Sequence, residues 1–182
     1  MEHLSIAELE AGIALIRRSP ADEGRLELIV RRPAIGEREV LTEGSLDLDE
    51  GLVGDTWSSR PSRRSDDGGP HPDMQLNVMN ARAAQLIAGA TDRWPLAGDQ
   101  LFVDLDLSET NLPAGSRLAV GEAIIEMTDQ PHTGCAKFAE RFGPEALRFV
   151  NTPAARELRL RGANARVVAP GTVRPGDQIR KL

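Results

Sequence analysis

The chain of 182 residues carries a single cysteine, Cys135. No internal disulfide is open to it, which fits a reducing compartment and leaves one thiol that is either buried and inert or free to react. No stretch approaches the roughly 18 uninterrupted apolar residues of a membrane-crossing helix, and Met1-Glu2-His3-Leu4 lacks the basic head and long apolar segment of a secretion signal. These absences predict a soluble, cytoplasmic protein with no membrane partner. Positive charge is also in deficit: Lys and Arg number 22 against 28 Asp and Glu, a formal net charge of -6. That balance argues against a grip on the nucleic acid backbone and leaves room only for local basic clusters around a small anion. A glycine-rich phosphate loop and a βαβ rhythm are both missing, so a nucleotide-binding α/β sheet is not expected. Metal ligands are sparse as well. His71 and Asp73 share one loop but lack ligand count and spacing, and Asp104 and Asp106 on one strand face suit solubility better than metal binding.

What is present is a succession of short elements divided by Gly and Pro turns, in a length that suits one domain with its own core. Ser5-Ile6-Ala7-Glu8 is a capping box opening a helix to about Arg17. Arg25–Arg32 and Glu37–Glu43 have strand character, and Gly44 to Gly69 is turn-rich. Met74–Met79 predicts a strand and Ala81–Ala88 a helix, capped by Asn80 and stopped by Gly89. From Gln100 to Leu107 apolar residues alternate with aspartates, predicting one buried and one acidic face. Arg117–Val120 and Ala123–Thr128 pair across Gly121-Glu122; two short amphipathic helices follow, divided at Gly143-Pro144. Arg161–Val168 is a further strand, Gly171 to Asp177 a turn-rich crossing, and Gln178–Lys181 the last strand. About eight strands with three or four peripheral helices define a mainly β fold: a single mixed, mostly antiparallel β-barrel. The Gly-Asp pairs at 54–55, 98–99 and 176–177 mark turns between its strands.

The chemistry concentrates in Thr128 to Phe138, which holds the cysteine, one of only three histidines and a lysine. This segment leaves the apolar run Ala123 to Met127, turns at Pro131 and Gly134 and enters a helical pattern at Ala136. Such an elbow sets Cys135 at a helix N-terminus, where backbone N–H groups favour the thiolate. His132, three residues earlier, is placed to donate to that thiolate or shuttle a proton, or alternatively to cap the turn. Lys137 adds positive potential or simply faces solvent. Arg60, Arg63 and Arg64, three arginines within five residues, are either a solvated loop or an anion clamp, since guanidinium forks match phosphate oxygens.

Six fragments in order resemble the MOSC domain, named for the C-terminal domain of molybdenum-cofactor sulfurases. They are Gly51-Leu52-Val53-Gly54-Asp55, Pro95 to Leu101, Asn111 to Gly115, Val120 to Ala123, Pro131 to Lys137, and Arg161-Gly162 through Gly176-Asp177. The resemblance runs from about Gly44 to Leu182, so residues 44–182 are expected to be the MOSC-like barrel core and residues 1–43 an N-terminal helix and first strands of the same domain. It implies a MOSC, or pyruvate-kinase-barrel-like, fold whose cysteine works with the molybdenum cofactor, as a sulfur carrier or as a thiolate ligand to molybdenum. Cys135 matches that cysteine. Pyridoxal phosphate attaches to the family through a separate desulfurase domain of the large sulfurases and is not expected to bind covalently here. The expected partners are a small anionic or pterin ligand and a sulfur-donor desulfurase protein. A cysteine-dependent barrel enzyme acting on a small anionic or sulfur-containing substrate and a non-catalytic binding barrel remain alternatives, and no oligomeric state follows from these residues.

Overall fold

The computed structural model describes residues 3–62 and 64–182, so Arg63 lies outside the described residues. Helix α1 (Ile6–Ile16) starts at the expected capping box, with Ser5 and Glu8 each accepting from the other's backbone N–H. The strands are β1 (Glu23–Arg31), β2 (Glu39–Leu41), β3 (Gly44–Asp47), β4 (Gly51–Leu52), β5 (Leu76–Asn80), β6 (Leu101–Asp104), β7 (Arg117–Val120), β8 (Ala123–Met127), β9 (Ala163–Ala169), β10 (Gly171–Val173) and β11 (Gln178–Lys181). The remaining helices are α2 (Ala81–Ala88), α3 (Ala136–Phe142), α4 (Pro144–Val150) and α5 (Pro153–Glu157).

Seven strands close a barrel in the order β11-β7-β8-β9-β5-β6-β1, with β1 returning to β11 and β2 added to the free part of β1's edge. Among the described residues all ladders are antiparallel except β5 with β6. The period of two sorts side chains between two cores. Leu76 and Val78 of β5, Leu101 and Val103 of β6, and Ile125 and Met127 of β8 fill the barrel, whereas Met79 and Phe102 face outward into a second cluster beneath α1 to α5. A bulge between Leu26 and Leu28 shifts the β1–β6 register. Close by, Gly24 is obligatory, because a Cβ there would meet the Asp104 carbonyl oxygen at 1.9 Å. Among the described residues no helix is long and apolar enough to cross a membrane.

Several expectations need correction. The turn-rich stretch after Gly44 contains β3 and β4, and the crossing at Gly171 contains β10; these three form a separate small sheet in the order β10-β3-β4. Strands of two to four residues carry too little periodicity to declare themselves. A strand–helix–strand unit does exist, β5-α2-β6, and it makes the one parallel ladder among the described residues. The outward face of β6 is not a wet acidic surface: α2 covers it, Phe102 is fully buried, and Asp104 pairs with Arg82 of α2 at 2.7 Å. Asp106 accepts from the Ser108 backbone N–H. The His71 ring Nδ1 likewise accepts from the Asp73 N–H, and Asp73 binds Arg166, which makes both of them turn residues.

Candidate functional site

A short 3-10 run, Thr91–Ala97, ends at Gly98 in the left-handed region (φ 90°), and that reversal turns Asp99 into the protein interior. Asp99 is fully buried. Its Oδ2 accepts from Arg161 Nη1 at 2.6 Å and its Oδ1 lies 3.0 Å from His132 Nε2. Arg161 also donates to the Ala97 carbonyl at 2.9 Å, and its guanidinium carbon sits 4.9 Å from the centre of the Phe138 ring of α3. The attraction of the cation to the ring partly compensates for the buried Nε, which has no partner. The turn after α5 delivers this arginine: Arg159, at φ 48°, braces itself on the Leu107 and Leu112 carbonyls, and the Gly162 N–H returns to the Arg159 carbonyl.

The charges in this triad follow from burial and proximity. Burial, the largest influence on Asp99, raises its carboxyl, but Arg161 and His132 outweigh it and hold the group down at about 2. Burial pushes the His132 ring below its ordinary 6.5, the Arg161 charge pushes the same way, and the attraction of Asp99 only partly offsets them. At neutral pH Asp99 is therefore an anion, Arg161 a cation and His132 uncharged. An ionised carboxylate can only accept, so His132 Nε2 carries the hydrogen and Nδ1 carries the lone pair. With Thr133, Gln130, Asn164 and Val150, His132 and Arg161 line a cleft of about 170 Å³.

A second, larger cleft of about 370 Å³ lies beside it, walled by Arg32, Arg60, Arg64, Trp57, His71 and Asn77. Arg32 is buried and bound by Asp55 through both carboxylate oxygens, at 2.8 and 2.7 Å; Asp55 also caps the 3-10 turn Thr56–Ser59. The Arg60 guanidinium has no hydrogen-bond or carboxylate partner among the described residues, and burial together with the nearby Arg32 charge lowers its pKa. The buried indole Nε1 of Trp57 is also without an acceptor. Two links join the clefts: Asn77 Nδ2 donates to Asn164 Oδ1 at 2.7 Å, and Arg64 Nη1 reaches the Pro131 carbonyl at 3.4 Å.

The expected site residues are thus partly assembled. Arg60 and Arg64 share one wall with each other, Arg64 touches the elbow that carries His132, and Arg63 falls outside the described residues. Cys135 is the N-cap of α3 in extended conformation and is exposed, and Lys137 is exposed in the first turn of that helix. Neither is among the residues lining the two clefts; Thr133 lines the smaller one, and Gly134, the residue before Cys135, packs on its wall residue Val150. Asp99, Arg161, Arg32, Asp55, Asn77 and Asn164 were not anticipated from the sequence. The Gly-Asp pairs were the available signal. Two of the three place a buried carboxylate on a buried arginine, and only Asp177 serves as the turn residue that the pattern suggests, accepting from the Arg174 N–H.

The fold and the family can be stated from comparison. Over 86% of this chain and 94% of its own, the crystal structure of the YuaD protein from Bacillus subtilis superposes with a TM-score of 0.65 at 16% sequence identity. YiiM from Escherichia coli superposes with a TM-score of 0.56 at 21% identity, over 87% of this chain and 69% of its own. YiiM from Geobacillus stearothermophilus gives 0.54 at 16% identity, over 87% and 75%. No curated protein sequence matches. The family model of the MOSC domain matches residues 71–180, a shorter span than the six fragments suggested. With more than half its length inside that match, the chain belongs to the MOSC domain family.

Proposed function

We propose that this protein is a sulfur carrier that accepts sulfur as a persulfide on Cys135, with the neighbouring arginine cleft holding an anionic or pterin ligand such as the molybdenum cofactor. The observation that carries the reading is an exposed thiol two residues after Thr133 of the smaller cleft, on an elbow that Arg64 ties through the Pro131 carbonyl to a second cleft with excess positive charge. A thiolate is both the nucleophile of sulfur transfer and a soft metal ligand. Arg60, without a carboxylate of its own, and Arg64 suit the phosphate of such a cofactor. When bound, that cofactor supplies molybdenum redox chemistry. The residues of this chain bind and orient it: Arg60 and Arg64 take the anionic tail, and Cys135 is the candidate thiolate for the metal.

The test is intact mass after incubation with a small hydropersulfide. The expected outcome is a gain of one sulfur atom that reductant removes, absent in Cys135→Ser, whose fold and melting temperature stay as in the parent protein. An unchanged mass for the parent protein, with Cys135 still open to alkylation, removes the sulfur-carrier reading. Gel filtration with a cysteine desulfurase then tests for a protein donor, and metal analysis of the purified protein tests for molybdenum.

A further inference from the structure

We propose that Asp99 and Arg161 are positioning residues that hold His132 as its Nε2–H tautomer, so that Nδ1 accepts a hydrogen bond from the S–H of a hydropersulfide donor entering the cleft beside Cys135. The inference rests on the sulfur-carrier reading above. Its geometry is independent of that reading. The Nε2 to Asp99 distance is 3.0 Å, and Arg161 fixes the other carboxylate oxygen at 2.6 Å, so the carboxylate cannot swing away from the ring. Gly162 closes the arrangement from the backbone side: at φ +108°, a Cβ there would lie 2.8 Å from Asp99 Oδ1 and 3.0 Å from His132 Cδ2. Nδ1 has no partner among the described residues, and it is not among the sealed polar atoms that lack one. It is left to the cleft that the ring lines.

The charges around the ring select the kind of donor. Arg161 and Arg32 both bear on His132 with positive charge, and Asp99 is the carboxylate that opposes them, so the ring is a hydrogen-bond acceptor and a poor base. That suits sulfur transfer from a hydropersulfide. The Cys135 thiolate attacks the outer sulfur of the donor, forming a new S–S bond. The donor's own S–S bond breaks with its electron pair on the inner sulfur, which leaves as a thiolate. The outer sulfur keeps its hydrogen throughout and ends as the Cys135 hydropersulfide. A strong base at this position would strip that hydrogen and turn the electrophile into an anion that a thiolate does not attack. A neutral nitrogen that accepts the S–H hydrogen bond orients the donor and leaves it electrophilic.

Two measurements test the proposal on the intact protein. Long-range 1H–15N spectra of the three imidazoles read the tautomer without any sulfur chemistry. The expected result at pH 7.0 is a neutral His132 with hydrogen on Nε2; hydrogen on Nδ1, or an imidazolium, overturns the proposal. The second measurement is the rate at which a low-molecular-weight hydropersulfide loads sulfur onto Cys135 in His132→Gln. The glutamine amide nitrogen takes the place of Nε2 and keeps the bond to Asp99, while nothing replaces Nδ1. Loading is expected to fall about ten-fold, as for one neutral hydrogen bond made in the transition state, with melting temperature and iodoacetamide alkylation of Cys135 unchanged. Equal loading by His132→Gln and the parent protein overturns the role of His132 and leaves Cys135 as a sulfur carrier. A parent protein that alkylates but takes up no sulfur removes both. Asp99→Asn is the companion variant, expected to mix the tautomers where it folds; the outcome does not depend on it, because Arg161 loses its buried counter-ion there.

Discussion

At neutral pH the protein keeps a buried anion beside a half-buried neutral imidazole, and both choices appear in its acid stability. Asp99 has an ordinary value of 3.8 and is held at about 2 in the fold. The folded pKa is depressed, so the stabilisation is complete above 3.8 and is lost as pH falls through about 2, an effect of about 2 kcal/mol. His132 is also depressed, below 6.5. The unfolded chain therefore takes up the proton first, and stability declines from pH 6.5 downward until the folded ring protonates too. Urea midpoints between pH 7.5 and pH 4.5 should fall in the parent protein and stay flatter in His132→Gln, which keeps the hydrogen bond and cannot titrate. Parallel profiles for the two proteins would contradict a half-buried histidine kept neutral by its surroundings. None of this was legible in the sequence around His132, because its two partners lie 33 and 29 residues away along the chain, in turns that local pattern treats as generic.

Elements with strong end signals were legible and those without were not. The capping box fixed the start of α1, Asn80 and Gly89 fixed both ends of α2, and the apolar run Ala123–Met127 forms β8 as expected. Strands β3, β4 and β10 have four, two and three residues, and their identity comes from pairing with one another across the chain, information that no window contains. The elbow was legible because its chemistry is local. Gly134 illustrates what its shape depends on. It is not among the positive-φ glycines; its constraint is close approach, with a Cβ falling 2.7 Å from Leu147 Cδ1 and 2.9 Å from Val150 Cγ2 of α4. Val150 is buried, so it cannot swing out into bulk solvent without exposing apolar surface. Gly134→Val is therefore expected to cost about 1–3 kcal/mol by overpacking and to slow sulfur loading on Cys135, whereas Thr133→Ser at an exposed position stays within about 0.5 kcal/mol. Chemical denaturation of the two variants decides it, and equal stabilities would show that the elbow is looser than its contacts indicate.

For the whole molecule, closing seven strands with one parallel ladder brings residues from distant parts of the chain to one end of the site, and it concentrates positive charge in a protein that is acidic overall. Arg38 experiences the like charges of Arg141, Arg32 and Arg60, with Asp55 the carboxylate that counters them there, although the formal net charge is -6. Asp55 is already committed to Arg32 through both oxygens. Arg38 and Arg141 spend hydrogen bonds on the Pro95 and Leu96 carbonyls, which satisfy donors but do not neutralise cations. The local surplus of positive charge is an energetic cost that a bound anion relieves. Inorganic phosphate should therefore raise the melting temperature in a saturable way. At a concentration 100 times its dissociation constant the gain is about 2.7 kcal/mol, or roughly 5–10 °C for a chain of this size. Sodium chloride at the same ionic strength should not reproduce the gain, because a diffuse ion atmosphere screens the arginines without filling the cleft. The double variant Arg60→Ala, Arg64→Ala should lose most of the phosphate effect while its melting temperature without phosphate stays level or rises, since one unpaired half-buried cation has gone. A phosphate response that survives in the double variant would place the anion elsewhere, and no response in the parent protein would mean that the arginines are tolerated for a reason other than holding an anion.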